Sequence, residues 1–354
     1  MQKTGNRHIA VLLLGIVLCL CGIGCKNRGY RSMAEYSGYA VGSSYHILCD
    51  SGGADLAGQI DGLLKQIDGS ISLWDSLSVI SRFNRSTSGI YVDAHFVSVF
   101  NTSKRIHAET EGAFNPAIYP LMKLWGLDKN ATRADSIFKK NVVPDSILKF
   151  TRFEDITLGG SNDSIRQNAY FVAKKYPQNS LDFNGLSAGY AVDAICALLD
   201  SKGITNYKVE VGQEMRTKGT DPHQKPWLVG IDKPTGAQET RVVESIIPLG
   251  DRAFSTSGNY RKYYEKDGKR LSYRIDPQTG KPAEHTLLCT SVFAPTAVEA
   301  DAYATAFMAM GPGKTTQFLA KRPNLWAYLI SSGFDQDYQT WISPALEKEI
   351  ESNK

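Results

Sequence analysis

Ser255 to Pro282 reads STSGNYRKYYEKDGKRLSYRIDPQTGKP and, after an intervening strand, Thr296 to Gly311 reads TAVEADAYATAFMAMG. The first segment opens on a turn, Ser257-Gly258-Asn259-Tyr260, and continues as a positive, aromatic run through Arg261, Lys262, Tyr263 and Tyr264. Asp276-Pro277-Gln278-Thr279-Gly280 is turn chemistry, with proline presetting φ at the second position and glycine supplying a positive φ further on. In the second segment Ala300, Tyr303, Ala304, Phe307 and Met308 recur at helical spacing, so Asp301 and Thr305 share one helix face. A carboxylate beside a hydroxyl offers hard oxygen ligands, which suits Mg²⁺ with a phosphate completing its shell. An Asp near a helix start also serves the macrodipole, so the pair alone does not decide the chemistry.

The order decides more. SGNYRK, IDPQTGKP and EADAYATAF in succession closely resemble the ApbE family, the FAD:protein FMN transferases. The resemblance spans roughly residues 36 to 335 and implies an α+β fold of two lobes, with mixed β-sheets and packed helices and an FAD groove between them.

Upstream, Gly112 to Gly126 reads GAFNPAIYPLMKLWG, a dense match in which Ala113, Phe114 and Asn115 are implied contacts to FAD. The family usually has Asp where Asn115 stands. Leu181 to Gly203, LDFNGLSAGYAVDAICALLDSKG, reads as a strand end, a tight turn at Asn184-Gly185 and a helix opening near Ser187. A helix N-terminus after glycine is an anion site because several N–H groups point outward. By resemblance Asp182 binds the nucleotide and the Gly185 carbonyl joins Asp301 and Thr305 on the metal. Ala188 fills a cofactor-binding position commonly held by Lys. Ser72, Trp74, Ser76, Ser81, Arg82 and Asn84 cover a further motif, with Trp74 packed near the flavin ring. A Trp is more often core than platform. Tyr36 to Cys49 reads as a strand bent at Gly42-Ser43-Ser44, with Val41 against the nucleotide by resemblance.

Two more positions depart from the family pattern. Gln213 stands where glycine is usual, where its side chain could narrow the site, beside Glu214, which the resemblance gives a loop-orienting role and which is otherwise an exposed carboxylate. Tyr273 stands where His is normal, and a phenol with pKa near 10 is a poor base at neutral pH. Asp276 is then the expected substitute base, the resemblance implies that Ile275 contacts the cofactor, and Arg274 or Lys281 could restore positive charge missing at Ala188, though opposite strand faces keep both from doing so. The implied reaction is Mg-dependent attachment of FMN through a phosphoester to a Thr or Ser of an acceptor protein, with release of AMP. The alternative is FAD binding or hydrolysis without transfer.

The rest is organisation. Residues 1–24 have Lys3 and Arg7 before an apolar run, Ile9 to Leu20, too short to span a bilayer, which needs about 20 residues. Gly22-Ile23-Gly24-Cys25 resembles a lipoprotein signal, so Cys25 is the expected lipidation site, with residues 25–35 as tether. The acceptor implied by the family belongs to an exported or membrane electron-transfer system, consistent with an enzyme anchored in the cell envelope and facing the periplasm. Removing Lys3 and Arg7 takes the net charge from +4 to +2, which leaves no footprint for nucleic acid. Cys49, Cys196 and Cys289 are widely spaced, without metal spacing. Leu56, Ile60, Leu63, Leu64 and Ile67 mark one amphipathic helix, and Phe96, Val99, Phe100 and Ile106 a second that stops at Gly112. Tyr207 to Gly219 and Pro226 to Pro234 read as strands with a glycine bend. Leu127 to Ser180 reads as a surface excursion, and residues 336–354 as a polar tail.

Overall fold

A computed structural model describes residues 31–50, 56–128, 143, 145–160, 169–235, 242–259, 263–266, 269–272, 274–333 and 337–352. Cys25 and Tyr273, together with Arg261 and Lys262, lie outside the described residues.

The chain opens with strands β1 (Met33–Ala40) and β2 (Ser43–Asp50), then helices α1 (Ala57–Ile71) and α2 (Val79–Arg85), strand β3 (Gly89–Val92), and helices α3 (Ala94–Glu109) and α4 (Tyr119–Leu124). Strands β4 (Ile156–Gly160) and β5 (Tyr170–Lys174) precede helix α5 (Ser187–Ser201) and strands β6 (Tyr207–Val211), β7 (Glu214–Lys218), β8 (Leu228–Asp232), β9 (Val243–Pro248) and β10 (Ala253–Gly258). Then come β11 (Tyr263–Lys266), β12 (Lys269–Ser272), β13 (Leu287–Ala294), the helical segment α6 (Ala297–Ala320), β14 (Trp326–Ser332), β15 (Tyr338–Ile342) and α7 (Pro344–Ser352).

An eight-stranded sheet, ordered β1-β2-β6-β7-β10-β13-β14-β15, forms the backbone of the molecule. One face carries the main core, in which α1, α3, α5 and α6 bury Ile60, Ile67, Phe96, Phe100, Ile195 and Phe307. The other carries a smaller core where β8, β9 and α7 supply Val229, Ile231, Ile247 and Leu346 against Phe254 and Phe293. This double covering is why β13 is buried at every residue but Leu288 rather than alternately. The α+β class is as expected. The sheets are not mixed, however: every pairing between described strands is antiparallel.

The reason is local. Hairpin turns reverse β1 into β2 and β6 into β7, and α6 itself doubles back. Gly311 has φ 74° and ψ 174°, outside helical values, and is followed by Pro312. Tyr303 and Phe318 would be about 22 Å apart on a straight helix at 1.5 Å per residue, yet their rings lie 5.7 Å apart. Pro312 has no N–H to offer the Met308 carbonyl, and His285 Nε2–H donates to it instead at 2.9 Å. The reversal returns the chain to the end of the sheet from which β14 runs antiparallel to β13.

Three other boundaries differ from the sequence reading. The bent strand at 36–49 is a hairpin whose turn is Val41-Gly42, both at positive φ (47° and 78°), and its first strand begins within the expected tether at Met33. The surface excursion at 127–180 contributes buried Phe153, Ile156 and Val172 to the main core. The polar tail includes β15, paired with β14, and α7, anchored by buried Leu346. Helix α3 ends as expected near Gly112, but Glu111 takes the left-handed position (φ 52°), with Gly112 N–H closing onto the His107 carbonyl at 2.9 Å. All three described cysteines are buried, and burial pushes the Cys49 thiol up to about 11, so they are packing residues.

Candidate active site

Helix α6 is held at its N-terminus by another helix. Thr296, its N-cap, makes no capping bond through its side chain. Instead the Asp193 carboxylate of α5 accepts from the N–H groups of Ala297 (3.1 Å) and Val298 (2.8 Å), and pairs with Arg216 at 2.7 Å. The two helices touch at backbone distance: a Cβ on Gly189 would lie 2.3 Å from the Ala297 carbonyl oxygen. That approach lets Asp301 Oδ2 accept the Gly189 N–H at 3.1 Å.

One turn further along α6, Thr305 meets the loop before α5. A Cβ on Gly185 would be 3.0 Å from Thr305 Cγ2 and 3.2 Å from Oγ1. The loop is pinned from two sides. Asn84 donates to the Leu181 carbonyl (2.8 Å) and accepts the Leu181 N–H (2.7 Å), and Asp182 Oδ1 accepts the Asn184 N–H at 2.8 Å. Residues 181–183 thus form a braced loop rather than a strand end.

A cleft opens above this floor. Asp182, Gly185 and Thr305 line it from the helix side, Ala113, Phe114 and Asn115 from the segment after α3, and Ile275 and Pro277 from the turn segment. Trp74 stands at its rim, 61% exposed, with its indole against the Val41-Gly42 turn: a Cβ on Gly42 would sit 3.0 Å from Trp74 Nε1. The indole is therefore a surface platform and not a core residue. Val41, a β-branched residue at positive φ, is an uncommon conformation beside that platform. Its N–H donates to Asp68 Oδ1 at 3.0 Å.

Both ends of the Asn115 amide are engaged. Its Oδ1 accepts the Ala117 N–H and its amide donates to the Thr151 carbonyl, both at 2.9 Å. A carboxylate could not make the second bond, which gives the Asn a physical reason to stand there. Behind it Ile275 packs with Leu121 and Trp125, and Trp125 Nε1 donates to the Gly280 carbonyl at 2.6 Å. Gly280 has φ 70°, and a Cβ there would come within 2.8 Å of Leu148, so this position requires glycine.

Asp276 organises the same turn: Oδ1 accepts the Gln278 N–H at 2.9 Å and Oδ2 the Thr279 hydroxyl at 3.1 Å. Both oxygens accept bonds within the loop, so Asp276 holds the turn at the position expected to supply the substitute base. Ala188 packs against the main core. Gln213 is exposed at the β6–β7 turn and borders a separate depression with Glu210 and Thr256. Lys281 is exposed, whereas Arg274 enters the cleft.

Glu214 is half-buried, not an exposed carboxylate. Its Oε1 accepts from Ser255 Oγ and Oε2 from the Gln213 N–H, both at 3.1 Å. Burial, followed by the charge of Asp301, pushes its carboxyl well above the ordinary range. Burial likewise pushes Asp301 up to about 7 and Asp182 up to about 6. Burial lowers the Arg274 pKa, against the charges of Asp301, Glu214 and Asp182. Three carboxylates, Asp301 buried and Asp182 and Glu214 half-buried, face one guanidinium and leave an excess of negative charge.

Among the described residues no three His, Cys, Asp or Glu side chains gather as a metal-ligand group. The oxygen set expected here holds only one carboxylate, Asp301, with the Thr305 hydroxyl and the Gly185 carbonyl. Its hard-oxygen chemistry and the surplus negative charge around it fit a divalent cation such as Mg²⁺.

The ApbE family model matches residues 41–329. Among curated relatives, the FAD:protein FMN transferase of Escherichia coli (strain K12) is 35% identical over 303 residues, covering 85% of this chain and 83% of its own length. That of Haemophilus influenzae is 30% identical over 354 residues, covering 97% and 98%. The solved structure of the flavin transferase ApbE from Vibrio cholerae superposes with TM-score 0.75 at 30% identity, over 90% of this chain and 99% of that one.

Proposed function

The chain belongs to the ApbE family, and from that premise we propose that it is a Mg-dependent FAD:protein FMN transferase, joining FMN through a phosphoester to a Thr or Ser of an acceptor protein and releasing AMP. The observation that carries this reading is the convergence of Gly185, Thr305, Asp182 and Arg274 in one cleft rimmed by Phe114 and Trp74.

In the proposed reaction the acceptor hydroxyl oxygen bonds to the FMN-side phosphorus. The bond from that phosphorus to the bridging oxygen breaks, AMP leaves with the electron pair, and the hydroxyl proton passes to a base. Asp301, Thr305 and the Gly185 carbonyl would hold Mg²⁺, which supplies charge neutralisation on the departing phosphate. Trp74 offers apolar surface to the flavin, buried Phe114 forms part of the cleft wall, and Asn84 and Asn115 hold the two loops that frame the cleft. Ala188, where a cation is usual, favours a second reading, in which FAD is bound or hydrolysed to FMN and AMP without transfer, because the opening of α5 carries a methyl there.

Mass spectrometry of a co-expressed acceptor domain, with FAD and Mg²⁺, separates the two. A mass increase of one FMN supports transfer; AMP release with an unmodified acceptor supports hydrolysis and sinks the transferase reading. We further propose that Cys25 is acylated and anchors the enzyme in the cell envelope, facing the periplasm, where acceptors of membrane electron transfer are exposed. C25S is expected to move the protein from the membrane to the soluble fraction, and retention in the membrane would remove the anchor.

A further inference from the structure

The β8–β9 ribbon turns apolar side chains both ways. Val229, Ile231 and Ile247 point into the smaller core. The opposite face should then be polar, since an antiparallel ribbon with one side on water alternates apolar and polar residues. Instead Leu228, Val243 and Ile246, with Val242 just before β9, are 46% to 62% exposed. The pairing gathers them: Ile246 lies opposite Gly230, two residues from Leu228, and a Cβ on Gly230 would stand 3.5 Å from Val243 Cγ1. A contiguous aliphatic patch of this kind marks a surface that meets something other than water.

Where the chain leaves the fold indicates what that is. Arg31, the first described residue, is fastened to the loop that leads into β8. Its N–H donates to the Pro222 carbonyl at 2.9 Å, and its guanidinium donates to Thr220 Oγ1 at 3.4 Å. Thr220 bridges to Pro226, and Leu228 follows two residues later. The expected acylation site, Cys25, lies six residues before Arg31, a stretch that spans at most about 22 Å even when fully extended. An acyl anchor there holds the start of the ribbon close to the bilayer. The cleft belongs to the opposite face of the sheet, where Phe114 and Leu186 join the main core.

We propose that the outward face of the β8–β9 ribbon is a membrane-contact surface, seated at the headgroup–acyl boundary by Leu228, Val243 and Ile246, with the cleft turned away from the bilayer. The proposal rests on the reading of Cys25 as the lipid anchor. An anchor by itself leaves the body free to tumble on its tether, whereas aliphatic side chains at the boundary add a second signal and fix one face. The cleft is then presented to acceptor segments that stand off the membrane rather than to segments lying in it.

Full-length acylated protein in phosphatidylcholine vesicles tests this with a polarity-sensitive thiol label. The label is placed by I246C or L228C on the ribbon, and by K104C on α3, which packs on the other face of the sheet, as the reference. Ile246 and Leu228 are each more than half exposed, so either variant keeps the fold, and the described native cysteines are buried, so the introduced thiol takes the label. Flotation with the vesicles reads the anchor first. In floated protein the labels at 246 and 228 are expected to shift to the blue and to lose about half their fluorescence when the acyl chains carry bromine, as groups about 5–10 Å into the interface would. The label at 104 is expected to show neither change. Ribbon labels that behave like the label at 104 in floated protein overturn the proposal and leave the anchor standing. A blue shift without bromine quenching means that protein, a second copy or an acceptor, covers the ribbon, and overturns it as well. Protein that does not float fails the anchor reading, and the proposal with it.

Discussion

Beneath the floor of the cleft, one turn from Thr305, Asp301 is 5% exposed and hydrogen-bonded to a neighbouring helix, while at the rim Trp74 is 61% exposed and leans on a two-residue turn. The floor is charged and over-determined: α5 caps α6 through Asp193, the two helix backbones meet at Gly189, and Gly185 sits on the Thr305 side chain. The rim is apolar and held by few contacts. Buried charges act at low effective dielectric, where each is worth more and tolerates less displacement. Apolar surface at a rim works by area and is forgiving. Changes at the floor should therefore remove chemistry, and changes at the rim should only loosen binding.

The largest effect is expected from D301A. Losing the single carboxylate of the oxygen set should cut Mg-dependent turnover by about a hundredfold or more, since charge stabilisation of several kcal/mol is at stake and 1.4 kcal/mol is tenfold. Turnover of the co-expressed acceptor, read by mass, checks this. A variant that transfers FMN at the wild-type rate would take Asp301 out of the site.

Next is G189A, which changes no charge. The added methyl would stand 2.3 Å from the Ala297 oxygen and 2.8 Å from Val298 Cα, both backbone positions that cannot rotate away. Separating the helices should cost about 1–3 kcal/mol by overpacking, and it moves Asp301 relative to Gly185. A melting temperature within a degree of wild type would show that the helix contact is softer than the geometry says.

At the rim, W74A is expected to leave the melting temperature unchanged and to raise the KM for FAD about threefold to tenfold, the scale of one aromatic contact. Little change in kcat should accompany it. A large loss of stability would mean that the indole braces the Val41-Gly42 turn more than it serves a ligand.

The same contrast explains what could be read in the sequence. Asp301 and Thr305 were legible because a helical period puts i and i+4 on one face, and the Gly280 turn because its chemistry is local. What was not legible depends on partners far along the chain. Glu214 reads as a hairpin-turn carboxylate, and only Ser255, 41 residues on, and Asp301 reveal that it turns inward. Asn115 looks like a lost charge until the Thr151 carbonyl is seen beneath its amide. The reversal at Gly311-Pro312 was spelled out in two residues but hidden within an apolar run that reads as one helix. The segment after residue 336 reads as polar because Leu346 and, one turn on, half-buried Ile350 are all that α7 turns to the core, and two apolar positions make no periodic stripe.

The smallest expected effect is a pH dependence that distinguishes the floor from the rim without any mutation. The Asp301 carboxyl has a folded value of about 7 against an ordinary 3.8, and Asp182 and Glu214 are raised as well, all three chiefly by burial. Between about pH 4 and 7 the folded chain retains protons that the unfolded chain, with ordinary carboxylates, has released. The native state then binds more protons, so stability falls as pH rises through this window and levels off above it. A cation at the floor favours the ionised form and should flatten the slope. Melting curves at pH 5 and pH 8, in chelator and in Mg²⁺, should show the chelated protein losing a few degrees relative to the Mg²⁺ sample at pH 8, at about 2–4 °C per kcal/mol for a domain of 150–250 residues. D301N keeps an acceptor for the Gly189 N–H and carries no charge, so in chelator it should regain part of that loss at pH 8 and little at pH 5. Parallel curves for all four conditions would mean that the floor carries no uncompensated charge, and the contrast between floor and rim would then be one of packing alone.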